Sequence, residues 1–115
     1  MRILIAILFC TFAGQASAQP DPDSGNFMLP RCKALVNNKQ DELGVYAGHC
    51  GGVISTLVWS SEMFLDPAKF CAPPTATNGQ SRMVVVRYME KHPELLHLPF
   101  VKLALDAMKE AWPCR

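Results

Sequence analysis

The sequence predicts an all-α domain: four helices stapled by two disulfides. Three observations carry that prediction. Apolar residues recur at spacings of three and four, most clearly near the C-terminus. Four cysteines remain once an N-terminal export signal is set aside. The alternation of apolar and polar residues that marks a half-buried strand is missing apart from Met83–Val86, and a capping signal just upstream reassigns that run to a helix.

The export signal comes first. Met1-Arg2 supplies a positive start, and Ile3 to Ala13 is apolar except for Thr11. Ala16-Ser17-Ala18 gives the small-x-small pattern of a cleavage site and predicts a mature start at Gln19. The apolar run is about 11 residues, against roughly 20 needed to cross a bilayer as a helix, so no retained membrane anchor is expected. Cys10 lies inside that run behind Phe9, which argues against lipidation. Residues 1–18 therefore read as a signal peptide and 19–115 as one exported domain.

The 115 residues are 50% hydrophobic and 18% charged, which excludes a disordered tail or a fibrous repeat. Formal charge is +1, and loss of Arg2 with the signal brings it to zero. So even a balance offers nucleic acid or an anionic membrane no footprint.

Cys32, Cys50, Cys71 and Cys114 remain after processing. An even count in a small exported chain reads as two disulfides, each contributing about 2–4 kcal/mol. Spacing leaves all three pairings open. No C-x-x-C pair occurs, so zinc and c-type haem are not expected, and no other cofactor is indicated.

Pro20, Pro22 and Gly25 make Gln19 to Asn26 a loose lead-in by composition. The first helix is expected from Phe27 to Val36, with Pro30 near its first turn and Asn37-Asn38 as its stop. A second is expected from Asp41 to about Val58, with Asp41 and Glu42 favoured at its start by the helix dipole. Cys50, Val53, Ile54, Leu57 and Val58 mark its buried face. Gly44, Gly48 and Gly52 repeat every four residues, which reads as a close helix–helix crossing rather than a ligand-approach surface. Asp66-Pro67 suggests a cap and first helical position of a short turn, and Cys71-Ala72-Pro73-Pro74 an extended stretch.

Thr77-Asn78-Gly79-Gln80 matches a capping box, opening a helix to about Lys91 that His92-Pro93 ends. Met83 to Tyr88 suggest that it is buried on more than half its circumference. The last helix starts after Pro99, with Phe100, Leu103, Ala104, Ala107, Met108 and Ala111 on one side and Lys102, Asp106, Lys109 and Glu110 on the other.

Catalytic signals are absent from this reading. His49-Cys50 resembles a thiol–imidazole pair only while Cys50 is free. His92, Glu94 and His97 lie in an interhelical connection, where turn and capping hydrogen bonds are the simpler role than metal binding. Glu62, Asp66, Glu90 and Glu94 form no paired-carboxylate signature. No enzyme is expected.

The second half, from Phe70-Cys71-Ala72-Pro73 through Thr77-Asn78-Gly79-Gln80, Val84 to Glu94, His97-Leu98-Pro99 and Ala111-Trp112-Pro113-Cys114, resembles the Rap/Tai family of type VI secretion immunity proteins. Gly25-Asn26-Phe27-Met28-Leu29, Cys32 and Gly48 to Ile54 extend the resemblance over nearly the whole mature chain. His49 stands where the family usually has an aromatic, and Trp112 where it usually has Phe.

The resemblance implies a helical, homodimeric protein of the periplasm that plugs the cleft of a peptidoglycan amidase toxin. The shared motifs read as scaffold, so partner contacts are expected between them: Asn37 to Tyr46, Trp59 to Lys69, and Pro74 to Asn78. Trp59, Met63 and Phe64 are candidate anchors, with Asp66 and Lys69 beside them, the alternative being that the three apolar residues belong to the core or a dimer seam. The predicted bridges are Cys32–Cys50, stapling neighbouring helices, and Cys71–Cys114, fastening the long loop to the C-terminus. The competing functional reading is a general periplasmic helper, of envelope-stress or chaperone-like type, on the same fold.

Overall fold

A computed structural model describes residue 14, residues 19–39 and residues 44–115. Within them the chain forms four α-helices: α1 (Gly25–Val36), α2 (Val45–Ser60), α3 (Asn78–Lys91) and α4 (Phe100–Ala111). Single 3₁₀ turns follow α2 at Ser61–Met63 and α3 at Pro93–Leu95. The signal-peptide residues and the Asp41-Glu42 helix start lie outside the described residues, except that Gly14 and Gln19 onward are included.

The lead-in is fixed rather than loose, and α1 begins two residues earlier than its apolar pattern suggested. Ser24 caps it: its hydroxyl accepts from the Phe27 N–H at 3.3 Å and donates to the Asp21 carbonyl at 2.7 Å. Two first-turn N–H groups, which a helix cannot satisfy internally, are taken by the connection between α3 and α4. Gly25 donates to the Leu98 carbonyl (3.0 Å) and Asn26 to that of Leu96 (2.7 Å), while Phe100 donates back to Asp23 (2.6 Å). Gly25 is needed there, because a Cβ would run into the Leu103 side chain and sit 3.0 Å from the Leu96 carbonyl oxygen. With the earlier start, Pro30 falls mid-helix, on the exposed side, where it cannot donate to the Asn26 carbonyl and Asn26 is itself exposed.

α2 starts at Val45 on Gly44, with no side-chain cap. Its buried face is Ala47, Cys50, Gly51, Ile54 and Leu57, with Val53 and Val58 half-buried beside it. The glycine repeat is not the crossing expected. A Cβ at Gly44, Gly48 or Gly52 would meet nothing within 4 Å, so among the described residues no element packs along that stripe. The close approach falls at Gly51 instead, where a Cβ would stand 3.2 Å from Leu35 Cδ2 and 3.4 Å from the Arg82 guanidinium. The buried face of α2 runs through position 51, which leaves the stripe one residue away on the outer side.

The capping box of α3 is closed in both directions. The Gln80 N–H donates to Thr77 Oγ1 (3.1 Å), and the Thr77 N–H donates to Gln80 Oε1 (2.8 Å). The buried arc of α3 is narrower than expected, because its neighbours all lie to one side: Ser81, Val85, Val86 and Met89 are buried, while Met83 and Arg87 are exposed. On α4 the stripe Phe100, Leu103, Ala104, Ala107 and Met108 is buried as patterned, but Ala111 is exposed in the last turn.

One core joins the four helices, with Met28, Ile54, Phe70, Val85, Met89, Phe100, Leu103 and Met108 at its centre. Cys32–Cys50 lies inside it, joining α1 to α2 across 5.6 Å between Cα atoms. Cys71–Cys114 joins the α2–α3 loop to the C-terminal tail across 4.9 Å. This is the pairing predicted. Loop-closure entropy assigns bridges of this span about 3 and about 4 kcal/mol respectively.

Candidate partner-binding surface

The last turn of α2 and the 17 residues that link it to α3 carry three large exposed apolar side chains among the described residues. Trp59, in the last turn of α2, is 80% exposed, Met63 65% and Leu65 82%. Burying such groups in a partner removes apolar area from water, at about 25 cal/mol per Å². Phe64 points the other way. Its backbone is extended (φ −79°, ψ 140°), so side chains alternate about it: Met63 and Leu65 out, Phe64 in. Phe64 is half-buried against the core, its ring 6.2 Å from that of Phe70. Asp66 and Lys69 are exposed on the same segment.

The segment has few internal bonds. Phe64 N–H donates to the Ser61 carbonyl (3.2 Å) and Ala68 N–H to that of Leu65 (2.8 Å). Leu65–Ala68 forms the short turn expected at Asp66-Pro67, a peptide that is cis, and no helix follows directly on it. Anchorage comes from the ends. Phe70 is 2% exposed, the Cys71 N–H donates to the Trp112 carbonyl (2.8 Å), and the Cys71–Cys114 bridge lies alongside. The two ends of this stretch, Ser61-Glu62 and Lys69 to Ala72, line a hollow of about 210 Å³.

Trp59, Met63, Asp66 and Lys69 thus share one exposed segment, with Phe64 as its inward brace. Leu65 was missed by pattern reading, although the apolar triplet Met63-Phe64-Leu65 before a proline turn carries a period-two signal that places its outer members together.

A second open face lies along the outside of α2. His49, Gly52, Val53, Thr56, Leu57 and Val101 line a hollow of about 360 Å³ with no Lys, Arg, Asp or Glu in its lining. A third feature is aromatic: Arg31 stacks over Phe27 (3.5 Å to the ring centre), and Tyr46 meets Phe27 edge-on at 4.8 Å.

The groups weighed for chemistry are occupied or apart. Cys50 is bonded to Cys32 and fully buried, so His49 has no thiol beside it. His92 ends α3, its Nδ1 3.1 Å from Glu94 Oε1 and its ring against Tyr88 at 4.5 Å. Glu94's own backbone N–H and then His92 hold the Glu94 carboxyl below its ordinary range. Burial, and after it the Asp106 and Glu110 carboxylates, raise the Tyr88 phenol. Lys102 is raised by its hydrogen bond to Asp106 at 2.6 Å. Among the described residues no three His, Cys, Asp or Glu side chains come together to hold a metal ion. No described helix is long and apolar enough to cross a membrane.

The Rap1a immunity protein family matches residues 24–114, from the α1 cap to the last cysteine. The chain belongs to that family. Its role is therefore that of an immunity protein, and such a protein has a cognate effector to bind. As a Rap1a family member it carries the surfaces above on a scaffold whose caps and bridges all fall inside the matched region. No curated protein and no solved structure matches it.

Proposed function

We propose that this protein is exported to the periplasm, where it blocks the active-site cleft of a peptidoglycan amidase delivered by type VI secretion, with no chemistry of its own. The observation that carries the reading is the end of α2 with the loop after it, bearing Trp59, Met63 and Leu65: large apolar side chains held out to solvent on a braced, disulfide-anchored segment. A cleft is filled by a projecting apolar element whose conformation is already paid for, since ordering it on contact would subtract from affinity. Asp66 and Lys69 at its rim supply charges that select one partner over another. Phe64 and Phe70 keep the element in shape.

The dimeric part of the proposal uses the outer face of α2. Its lining, which has no Lys, Arg, Asp or Glu, can meet a copy of itself across a two-fold axis without pairing like-charged carboxylates or ammonium groups. Light scattering on the purified protein, with Val101→Asp as the disrupting variant, tests that assignment.

The decisive experiment uses the oxidised mature chain as bait in lysate of the source organism. Capture of one peptidoglycan amidase in stoichiometric amount, with loss of its cell-wall hydrolysis, is the expected result. Broad capture of unfolded proteins would favour the helper reading. A variant lacking residues 1–18 that still protected cells from a periplasmic toxin would overturn the location.

A further inference from the structure

The two disulfides occupy opposite environments. Cys32 and Cys50 are both 0% exposed and form part of the core. Cys71 is exposed and Cys114 half-buried. Thiol–disulfide exchange needs a thiolate to reach a sulfur, so access separates the bridges before any difference in intrinsic reactivity.

They also restrain different things. Cys32–Cys50 ties two helices that already pack on each other and on the core. Cys71–Cys114 ties two segments without helical structure: the middle of the α2–α3 loop and the tail beyond Ala111. Without it, that part of the loop keeps the buried Phe70 ring and one hydrogen bond, from Cys71 to Trp112. Between Ser61, whose hydroxyl donates to the Val58 carbonyl of α2 (2.8 Å), and Phe70, the hydrogen bonds run within the loop itself: Phe64 to Ser61 and Ala68 to Leu65.

We propose that Cys71–Cys114 is a redox latch on the 61–77 loop, opened by a dithiol reductant while Cys32–Cys50 and the helical body stay intact. A reductant thiolate attacks Cys71 Sγ, the S–S bond breaks, and Cys114 leaves as a thiolate that takes up a proton. The second reductant thiol then displaces Cys71 from the mixed disulfide. Two cysteine thiols and the reductant's disulfide result, so two electrons and two protons have moved from reductant to protein. The loop is set in shape only in an oxidising compartment and loosened in a reducing one. Its redox control stands whatever the partner; only the consequence for effector binding rests on the immunity reading.

The test needs no effector. The oxidised exported protein is treated with dithiothreitol and quenched with an alkylating agent over time. Peptide mapping should find Cys71 and Cys114 alkylated at least ~10-fold faster than Cys32 and Cys50. The species with one bridge should keep its helical circular dichroism while hydrogen exchange across 61–77 speeds up by about 10-fold or more. Cys71→Ser with Cys114→Ser should show the same fast exchange without reductant. Simultaneous opening of both bridges with loss of helix would overturn the proposal. So would selective opening that leaves loop exchange unchanged. If the double variant does not fold, the time course on the native protein decides alone.

Discussion

The Phe64 ring leans on Phe70 with 6.2 Å between centres, and this contact links the exposed loop to the core. Phe70 is almost wholly buried, so it transmits the packing of the helices outward to a segment with little else beneath it. Phe64→Ala should therefore act on loop and body together. A half-buried ring is worth less than the roughly 3–5 kcal/mol of a core phenylalanine, so a loss of about 1–2 kcal/mol is expected. Denaturant unfolding measures it, and hydrogen exchange should show the excess flexibility concentrated in 61–69.

Trp59 and Leu65 should behave oppositely. Both are at least four-fifths exposed, so alanine at either position should change stability by no more than about 0.5 kcal/mol. Effector affinity should fall by about 2 kcal/mol or more at each, as at interface hot spots. Calorimetric titration of wild type and variants distinguishes the outcomes. Unchanged affinity in both variants would remove this loop from the interface.

Much of this fold was legible because its signals are local. Thr77 and Gln80 form the capping box that their spacing promised, and the Phe100 to Met108 stripe faces the core. What escaped the sequence depends on distant chain. Ser24 and Gly25 lie in a stretch whose prolines suggest a loose lead, yet the carbonyls of Leu96 and Leu98, some seventy residues on, hold it in place. Gly48 and Gly52 have helical spacing, but spacing does not say which face of α2 turns inward; Gly51, between them, does. The exposed loop was legible as a region and not in its details, since only an extended backbone at Phe64 decides that Leu65 points out.

The glycines give a paired test. Gly48→Ala and Gly52→Ala add a methyl to open space on a helix, and each should raise stability by about 0.5–1 kcal/mol. Gly25→Ala puts the same methyl against Leu103 and the Leu96 backbone and should cost about 1–3 kcal/mol as overpacking. Thermal melts at two protein concentrations check this. A Gly52→Ala variant that weakened a concentration-dependent dimer would place the stripe inside the two-fold contact, and the monomer's gain would be masked.

The pH profile of stability should have an acid limb set by Glu94 and an alkaline limb set by Lys102 and Tyr88. The Glu94 carboxyl is held below its ordinary 4.5, so its contribution is present above that pH and is lost as pH falls through the lower folded value. Lys102 is held above 10.5 by Asp106, and the Tyr88 phenol above 10.0 by burial and then Asp106 and Glu110. Their contributions are present below those ordinary values and are lost as pH rises through the folded ones. Stability should thus be level between the two limbs. Glu94→Gln should flatten part of the acid limb and leave the alkaline limb alone, while Lys102→Met should do the reverse. Tyr88 can be followed directly, because the chain has two tyrosines. In a Tyr46→Phe background the midpoint of the remaining phenolate absorbance should lie above 10.0 in the folded protein, and at that ordinary value once the protein is unfolded. A folded-state transition at the ordinary value would show that burial and the α4 carboxylates do not act on Tyr88 as the geometry requires.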